Sequence, residues 1–279
     1  MNKVSVLMPV YNAEKYMAEA IESTLNQSFT NFEFIIVDDA STDNTLAIID
    51  SYKDSRIQLI KAEHSLVKSL NIGLKAASGE YIARMDADDI MHTDRLKIQY
   101  SLMEEEEQIT VCSSWMKAFG TKISGSQLIK SNIGMVEYPL LLLLRGNFVF
   151  HPTVMIRNSF LKEKGLKYRD YIWAEDYKLW VDIAEAGGRF FIDSEPLLLH
   201  RISDEQVRNT KQREQAESTL KIKREILTEL VETSDIEKLQ DLLTLLDEIK
   251  DEGFLSDNEI TTFFYTILQK RPFRHNSNK

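Results

Sequence analysis

The first ninety residues alternate between two hydrophobic periods. The runs "KVSVLMPV", "FEFIIV", "RIQLI" and "EYIARM" are short and largely apolar, and each predicts a strand. Between them, "AEKYMAEAIESTLNQS", "TDNTLAIIDSY" and "SLVKSLNIGLKAA" repeat apolar residues every three or four positions, the period of an amphipathic helix. Strand and helix in alternation predict an α/β domain, a doubly wound and mostly parallel sheet flanked by helices. Such sheets take ligands at the carboxyl ends of their strands, and here those ends read "PVYN", "DDAST" and "DADD".

Beyond Ile90 the alternation loosens. A helix is expected over 93–107, then the strand "ITVCSSWMKAF", a loop with Gly120, Gly125 and Gly134, a leucine-rich helix at "YPLLLLL" and the strand "HPTVMIR". The helix "AEDYKLWVDIAEAG" and the strands "GRFFID" and "PLLLHRIS" follow, and from Glu205 the pattern is helical. The expected organisation is one domain over 1–203, divided near residue 90, with a helical extension over 204–279.

Composition narrows the classes. Thirty-four basic against 44 acidic side chains leave a formal charge of −10, which argues against broad electrostatic binding of nucleic acid. Any anionic ligand must be met locally, by a metal or a few placed cations. The one cysteine, Cys112, can form neither an internal disulfide nor a thiolate metal site, and fits a reducing cytoplasm. The start "MNKVSVLMPVYN" turns polar too soon for a signal peptide, and "YPLLLLL" falls far short of the roughly 20 residues that span a bilayer. A cytoplasmic chain without a transmembrane helix is expected.

None of the ten glycines precedes Gly73, so the first strand-to-helix turn has no glycine-rich loop to cradle phosphates. A nucleotide bound at this sheet would need another source of positive charge. "RMDADDI" offers a site for one: three carboxylates within four residues, which repel and call for a cation, a proton or open water. Two unit charges about 4 Å apart interact by about 4 kcal/mol at an effective dielectric of about 20. Ordinary turn and cap chemistry explains the same stretch equally well.

Asp38 and Asp39 end the second strand. Ser41, Thr42 and Asp43 can cap the helix that follows; alternatively, an aspartate here accepts a hydrogen bond from a ribose hydroxyl or a nucleobase imide, which suits uracil or guanine better than cytosine. Glu175 and Asp176 open a helix on which Trp173, Tyr177, Trp180 and Ala184 recur at helical spacing. Two acids in a first turn complement the helix dipole; one of them can also serve as a general base beside an aromatic wall. His151 and His200 read most simply as structural histidines, and Arg201 near a strand end can reach a phosphate.

Taken in order, "VSVLMPVYNAEKYMAEAIESTLNQSFTNFEFIIVDDASTDNT", "GEYIARMDADD" and "WAEDYKLW" resemble a family 2 glycosyltransferase of the GT-A fold over residues 4–203. The resemblance implies an inverting enzyme that moves a sugar from a nucleoside diphosphate, a UDP-sugar by preference, to a hydroxyl of a growing surface saccharide. It implies a nucleotide-binding half at 1–90 and an acceptor half at 91–203. Pro9, Tyr11 and Asn12 would border the nucleoside and Asp39 meet the base. Asp86 would lie near ribose and metal, and Asp88 would ligate Mn²⁺ or Mg²⁺ on the diphosphate. Asp176 would be the base with Glu175 supporting it, and Asp89 is left as helix-start chemistry. Where many members carry an Asn-x-Gly turn and an arginine, this chain has Glu63, His64 and Leu70, with Lys68 the candidate for a phosphate or base contact. His151, Trp173, His200 and Arg201 are the remaining candidates for acceptor or phosphate contacts.

A phosphatase of the haloacid dehalogenase type would place such an aspartate motif on its first strand, and a nucleotidyltransferase would carry a glycine-rich first loop. An inactive glycosyltransferase-like subunit of a polysaccharide-assembly complex is the alternative from outside enzymology, and the presence of every required acid speaks against it. The tail with Lys270, Arg271, Arg274 and Lys279 reads as a packed helix with a solvated end; peripheral attachment to an anionic inner leaflet, where a lipid-linked acceptor would lie, is the sharper expectation.

Overall fold

A computed structural model describes residues 2–123, 125–202 and 212–233. The helices expected beyond 233 and the basic tail lie outside the described residues. The chain divides into two compact units, 1–219 and 220–279.

In the first unit, β1 (Val4–Val10), β2 (Phe32–Asp38), β3 (Ile57–Lys61) and β4 (Tyr81–Arg84) form a parallel block in the order β3-β2-β1-β4. Helices α1 (Met17–Leu25), α2 (Thr45–Ser51) and α3 (Leu66–Ala76) connect them. Every residue of β1 is buried, because a central parallel strand is covered on both faces. Pro9 is tolerated there because β4 pairs with β1 only as far as Leu7, so no ladder bond to β4 is lost. Helix α3 packs on β1 and β2. A Cβ at Gly73 would stand 2.0 Å from Cδ1 of the fully buried Leu7, so any larger residue would force that side chain to shift.

After β4 a turn through Asp86–Asp89 leads into the short β5 (Ile90–Met91) and helix α4 (Arg95–Glu105). Then come β6 (Val111–Phe119), β7 (Gln127–Ile129), β8 (Gly134–Val136) and α5 (Pro139–Arg145). A 3₁₀ turn at His151–Thr153, β9 (Met155–Arg157), α6 (Asn158–Lys164), α7 (Glu175–Glu185), β10 (Phe190–Arg201) and α8 (Gln212–Thr233) complete the described chain. The sheet continues from β4 as β9-β6-β10-β5, with β7 on β6 and β8 on β10. Strand β9 runs antiparallel to β4 and β6, while β10 runs parallel to β6 and antiparallel to β5. The expected α/β sheet is therefore parallel in its first half and mixed beyond it.

Several expected boundaries move for local reasons. Helix α1 starts late because the amides of Asn12, Ala13 and Glu14 donate to Ser41 Oγ, Thr45 Oγ1 and Asp43 Oδ2. Ser41 thus ties two loops together instead of capping α2, and Thr42 does the same by donating its amide to Asn12 Oδ1. "HPTVMIR" is not one strand: Pro152 has no amide to give a ladder, and residues 151–153 coil before β9 begins. "GRFFID" and "PLLLHRIS" are one strand, β10, whose register slips on both sides of Pro196.

Helix α4 locks these pieces together. Arg95 is fully buried and donates to the carbonyls of Arg84, Pro152 and Val154 and to Gln99 Oε1, at 2.8–3.1 Å. Gln99 donates in turn to the Thr153 carbonyl. Burial pulls Arg95 down to about 9, which still leaves it charged at neutral pH. Arg95→Met would strand those carbonyls. It is expected to lower the stability of the first unit by about 2–4 kcal/mol, read as a reduced denaturant midpoint with an unchanged slope.

Candidate active site

The Asp86–Asp89 turn places three carboxylates with ligand atoms within 4.8 Å of one another. They are not equivalent. Asp89 is fully buried: His200 Nδ1 lies 3.0 and 3.1 Å from its two oxygens, and the Arg201 amide donates to Oδ1 at 2.9 Å. Burial pushes its carboxyl up, and His200 and the Arg201 amide oppose that. Asp89 therefore pins the end of β10 to the turn. It does not start a helix, since Asp94 stands at the cap position of α4. Arg201 completes the pin: its Nε donates to the Asp88 carbonyl at 2.8 Å, its Nη2 to Glu19, and its plane lies between the rings of Tyr16 and Phe119.

Asp86 and Asp88 are half-buried and line a cleft of about 510 Å³. One Asp86 oxygen pairs with Arg84. Two carboxylates at the mouth of a turn, with the third braced behind them, form an all-oxygen donor set that suits a hard divalent cation such as Mg²⁺ or Mn²⁺.

Asp176 lines the same cleft. Its Oδ1 accepts from the Tyr177 amide at 2.7 Å and its Oδ2 from Asn147 Nδ2 at 3.0 Å. Burial raises its pKa, and these donors together with Arg84 pull back. Glu175 is buried beside it; burial first, then the Asp176 charge, push it up to about 7. A carboxylate whose pKa is raised towards neutrality is a better acceptor for a hydroxyl proton than a solvated one.

The other cleft candidates have structural partners. His151 Nε2 lies 2.7 Å from the Tyr168 hydroxyl, and burial and then Arg84 hold the ring neutral. His200 faces Asp89 as described. Trp173 adopts φ 60°, strained for so large a residue, and its carbonyl accepts from Gln215 while its indole N–H donates to Glu214. Pro9, Tyr11, Asn12, Asp39 and Lys68 sit apart from this cleft lining, around the carboxyl ends of β1 and β2 and on α3. Tyr11 is exposed and stacks on His64 with ring centroids 4.2 Å apart. Asp39 Oδ1 accepts from the Ser65 amide and the Ser69 hydroxyl, and its Oδ2 lies 3.2 Å from His64 Nδ1. Lys68 pairs with Glu63 at the surface.

The description of glycosyl transferase family 2 matches residues 5–164. The chain belongs to that family. An uncharacterized glycosyltransferase of Haemophilus influenzae is 36% identical over 239 residues, 81% of this chain and 73% of the relative. The Escherichia coli UDP-Glc:alpha-D-GlcNAc-diphosphoundecaprenol beta-1,3-glucosyltransferase WfaP is 33% identical over 189 residues, 67% of this chain and 72% of WfaP. Among solved structures, Staphylococcus aureus TarS 1-349 in complex with UDP superposes with TM-score 0.65 at 25% identity, over 85% of this chain and 68% of that one. A Pyrobaculum calidifontis mannosyltransferase with GDP-Man and Mn²⁺ shares the fold, with TM-score 0.58 at 15% identity, over 96% of this chain and 86% of that one. The α/β architecture is the GT-A-like one of this family, and the chain is a sugar-transferring enzyme.

Reading the chain of this glycosyltransferase alone missed three residues of the site. Arg84 stands in the quoted motif, yet nothing local marks an arginine at a strand end as buried. Asn147 and Tyr168 lie in irregular segments and reach Asp176 and His151 only through the fold. Glu175 yields a test of its surroundings. Its pKa in the folded state exceeds the usual glutamate value, so its stabilising contribution is present at low pH and is lost as pH rises through about 7. Glu175→Gln, which mimics the protonated form, is expected to melt several degrees higher than the parent at pH 8, at about 2–4 °C per kcal/mol, and alike at pH 4.

Proposed function

We propose that this glycosyltransferase moves a sugar from a UDP-sugar to a saccharide hydroxyl by a single inverting displacement. One observation carries the reading: Asp86 and Asp88 share a cleft with Asp176. In the displacement the acceptor oxygen attacks the anomeric carbon, the bond to the diphosphate breaks, and the acceptor proton passes to Asp176. The Tyr177 amide and Asn147 hold that carboxylate in place, with Glu175 its supporting neighbour. Asp86 and Asp88 would hold a divalent cation, Mn²⁺ or Mg²⁺, which supplies charge neutralisation of the departing diphosphate. With the leaving group neutralised in this way, a second acid is unnecessary and one carboxylate base suffices.

The TarS complex with UDP and the name of WfaP support a uridine donor. Tyr11, Asn12 and Asp39 at the strand ends are the residues assigned to the nucleoside. WfaP is named for a diphosphoundecaprenol-linked acceptor, and a lipid-linked saccharide is the acceptor assigned here. Among the described residues no helix is long and apolar enough to cross a membrane.

A panel of nucleotide sugars scored for Mn²⁺-dependent binding and slow hydrolysis tests donor and metal without an acceptor. UDP-sugars should bind, and no cation dependence for any nucleotide sugar would overturn the metal assignment. Asp88→Ala is expected to abolish cation-dependent binding. Asp176→Asn should bind donor with near-normal affinity and transfer about 10²–10⁴-fold more slowly; near-normal turnover in that variant would remove Asp176 as the base.

A further inference from the structure

The cleft that holds Asp86, Asp88 and Asp176 extends beyond those acids. Trp173, Gln215 and Thr219 line it as well, the last two from the beginning of α8 and all within the first unit. Two bonds tie that helix to the segment before α7. Gln215 Nε2 donates to the Trp173 carbonyl at 3.0 Å, and the Trp173 indole N–H donates to Glu214 Oε2 at 3.1 Å. They help hold Trp173 at φ 60°, a conformation that a large side chain keeps only where its surroundings impose it. An indole has one donor, and Glu214 takes it, so what Trp173 offers a ligand is ring surface. Gln215 and Thr219 stand four positions apart, neighbours on one helix face. Among the described residues neither Gln215 Oε1 nor the Thr219 hydroxyl has a hydrogen-bond partner. The carboxylates and the guanidinium of the lining, Asp86, Asp88, Asp176 and Arg84, come from β4, the turn after it and the start of α7; α8 contributes no charge to it.

We infer that Trp173, Gln215 and Thr219 form a subsite for an uncharged pyranose, the terminal ring of the acceptor saccharide. This rests on the reading of Asp176 as the base. Trp173 covers the apolar C–H face of the ring, and the amide and hydroxyl on α8 bond the hydroxyls at its edge. A phosphate or a sugar carboxylate would call for a cation, and the α8 side of the lining has none. The segment that carries Trp173 leads directly into α7, so a pyranose seated there shares the cleft with the carboxylate that takes its proton. Tyr11 and Asp39 lie outside this lining, and a nucleoside held by them leaves the subsite open.

Saturation-transfer difference NMR on the full-length chain, with UDP and Mn²⁺ present, tests this. The probes are methyl glycosides of neutral hexoses and N-acetylhexosamines, with methyl glucuronide as the charged control. At least one neutral glycoside should receive saturation, and the glucuronide should receive none. Gln215→Ala and Thr219→Ala are each expected to weaken that glycoside about two- to tenfold. Trp173→Phe, which keeps a ring, should retain more binding than Trp173→Ala. UDP affinity, measured by calorimetry on each variant, reports whether the rest of the protein is intact. If Trp173→Ala does not fold, the two α8 variants decide, since Gln215 is exposed and Thr219 half-buried. Three results overturn the inference: no neutral glycoside bound by the parent, binding undiminished in the Gln215→Ala/Thr219→Ala double variant, or glucuronide bound as well as the neutral sugars. UDP binding with no glycoside bound removes the subsite alone. Glycoside binding without UDP binding leaves the subsite and removes the uridine donor. No turnover enters the readout, so it is also independent of the Asp176→Asn result that tests the base.

Discussion

The buried Asp89 carboxylate holds the site together. It meets a histidine ring and a backbone amide at the far end of β10, 111 and 112 positions along the chain. Without that pin the acidic turn after β4 would be three repelling charges on a loose connection. With it, the repulsion is met from behind by His200 and by the Arg201 amide, and Asp86 and Asp88 are left towards the cleft. The pinned end of β10 runs beside both β6 and β5, beyond the register slip around Pro196.

Buried cations at two depths organise the rest. Arg95 is a hydrogen-bond hub: its donors bind carbonyls where β4 and the 151–154 turn meet, and it makes the scaffold behind the cleft rigid. Arg84 lies closer to the cleft, and its field reaches acids on two elements that are far apart in sequence. Burial raises the carboxyls of Glu175 and Asp176, and Arg84 restrains the rise. Glu175 is thereby left at about 7, near the range in which proton transfer at neutral pH is efficient, and Asp176 is raised from its usual value.

The parallel half of the fold was legible along the chain because each strand and helix there carries its own period, and strand-to-helix alternation leaves little freedom of topology. The later half was less so. "HPTVMIR" has the composition of a strand, but Pro152 and the donors of Arg95 and Gln99 make its first half a turn. The two apolar runs around Pro196 looked separate because a proline interrupts them; pairing with β6 on both sides makes them one strand. Strands β7 and β8 were hidden in a glycine-bearing loop, being three residues each and too short for a period to show.

The sequence by itself determined the class of the protein: the order of its elements, the absence of a glycine-rich phosphate loop, and the acidic motifs at the strand ends that mark family 2. Only the tertiary structure decided what each acid does. Asp86, Asp88 and Asp89 are neighbours with the same chemistry, and nothing local distinguishes them. What separates them is the company each oxygen keeps: Arg84 for Asp86, the cleft for Asp88, and His200 with the Arg201 amide for Asp89. Propensity and hydrophobic period act between residues a few positions apart, whereas the groups that bury and brace the Asp89 carboxylate come from more than a hundred positions away.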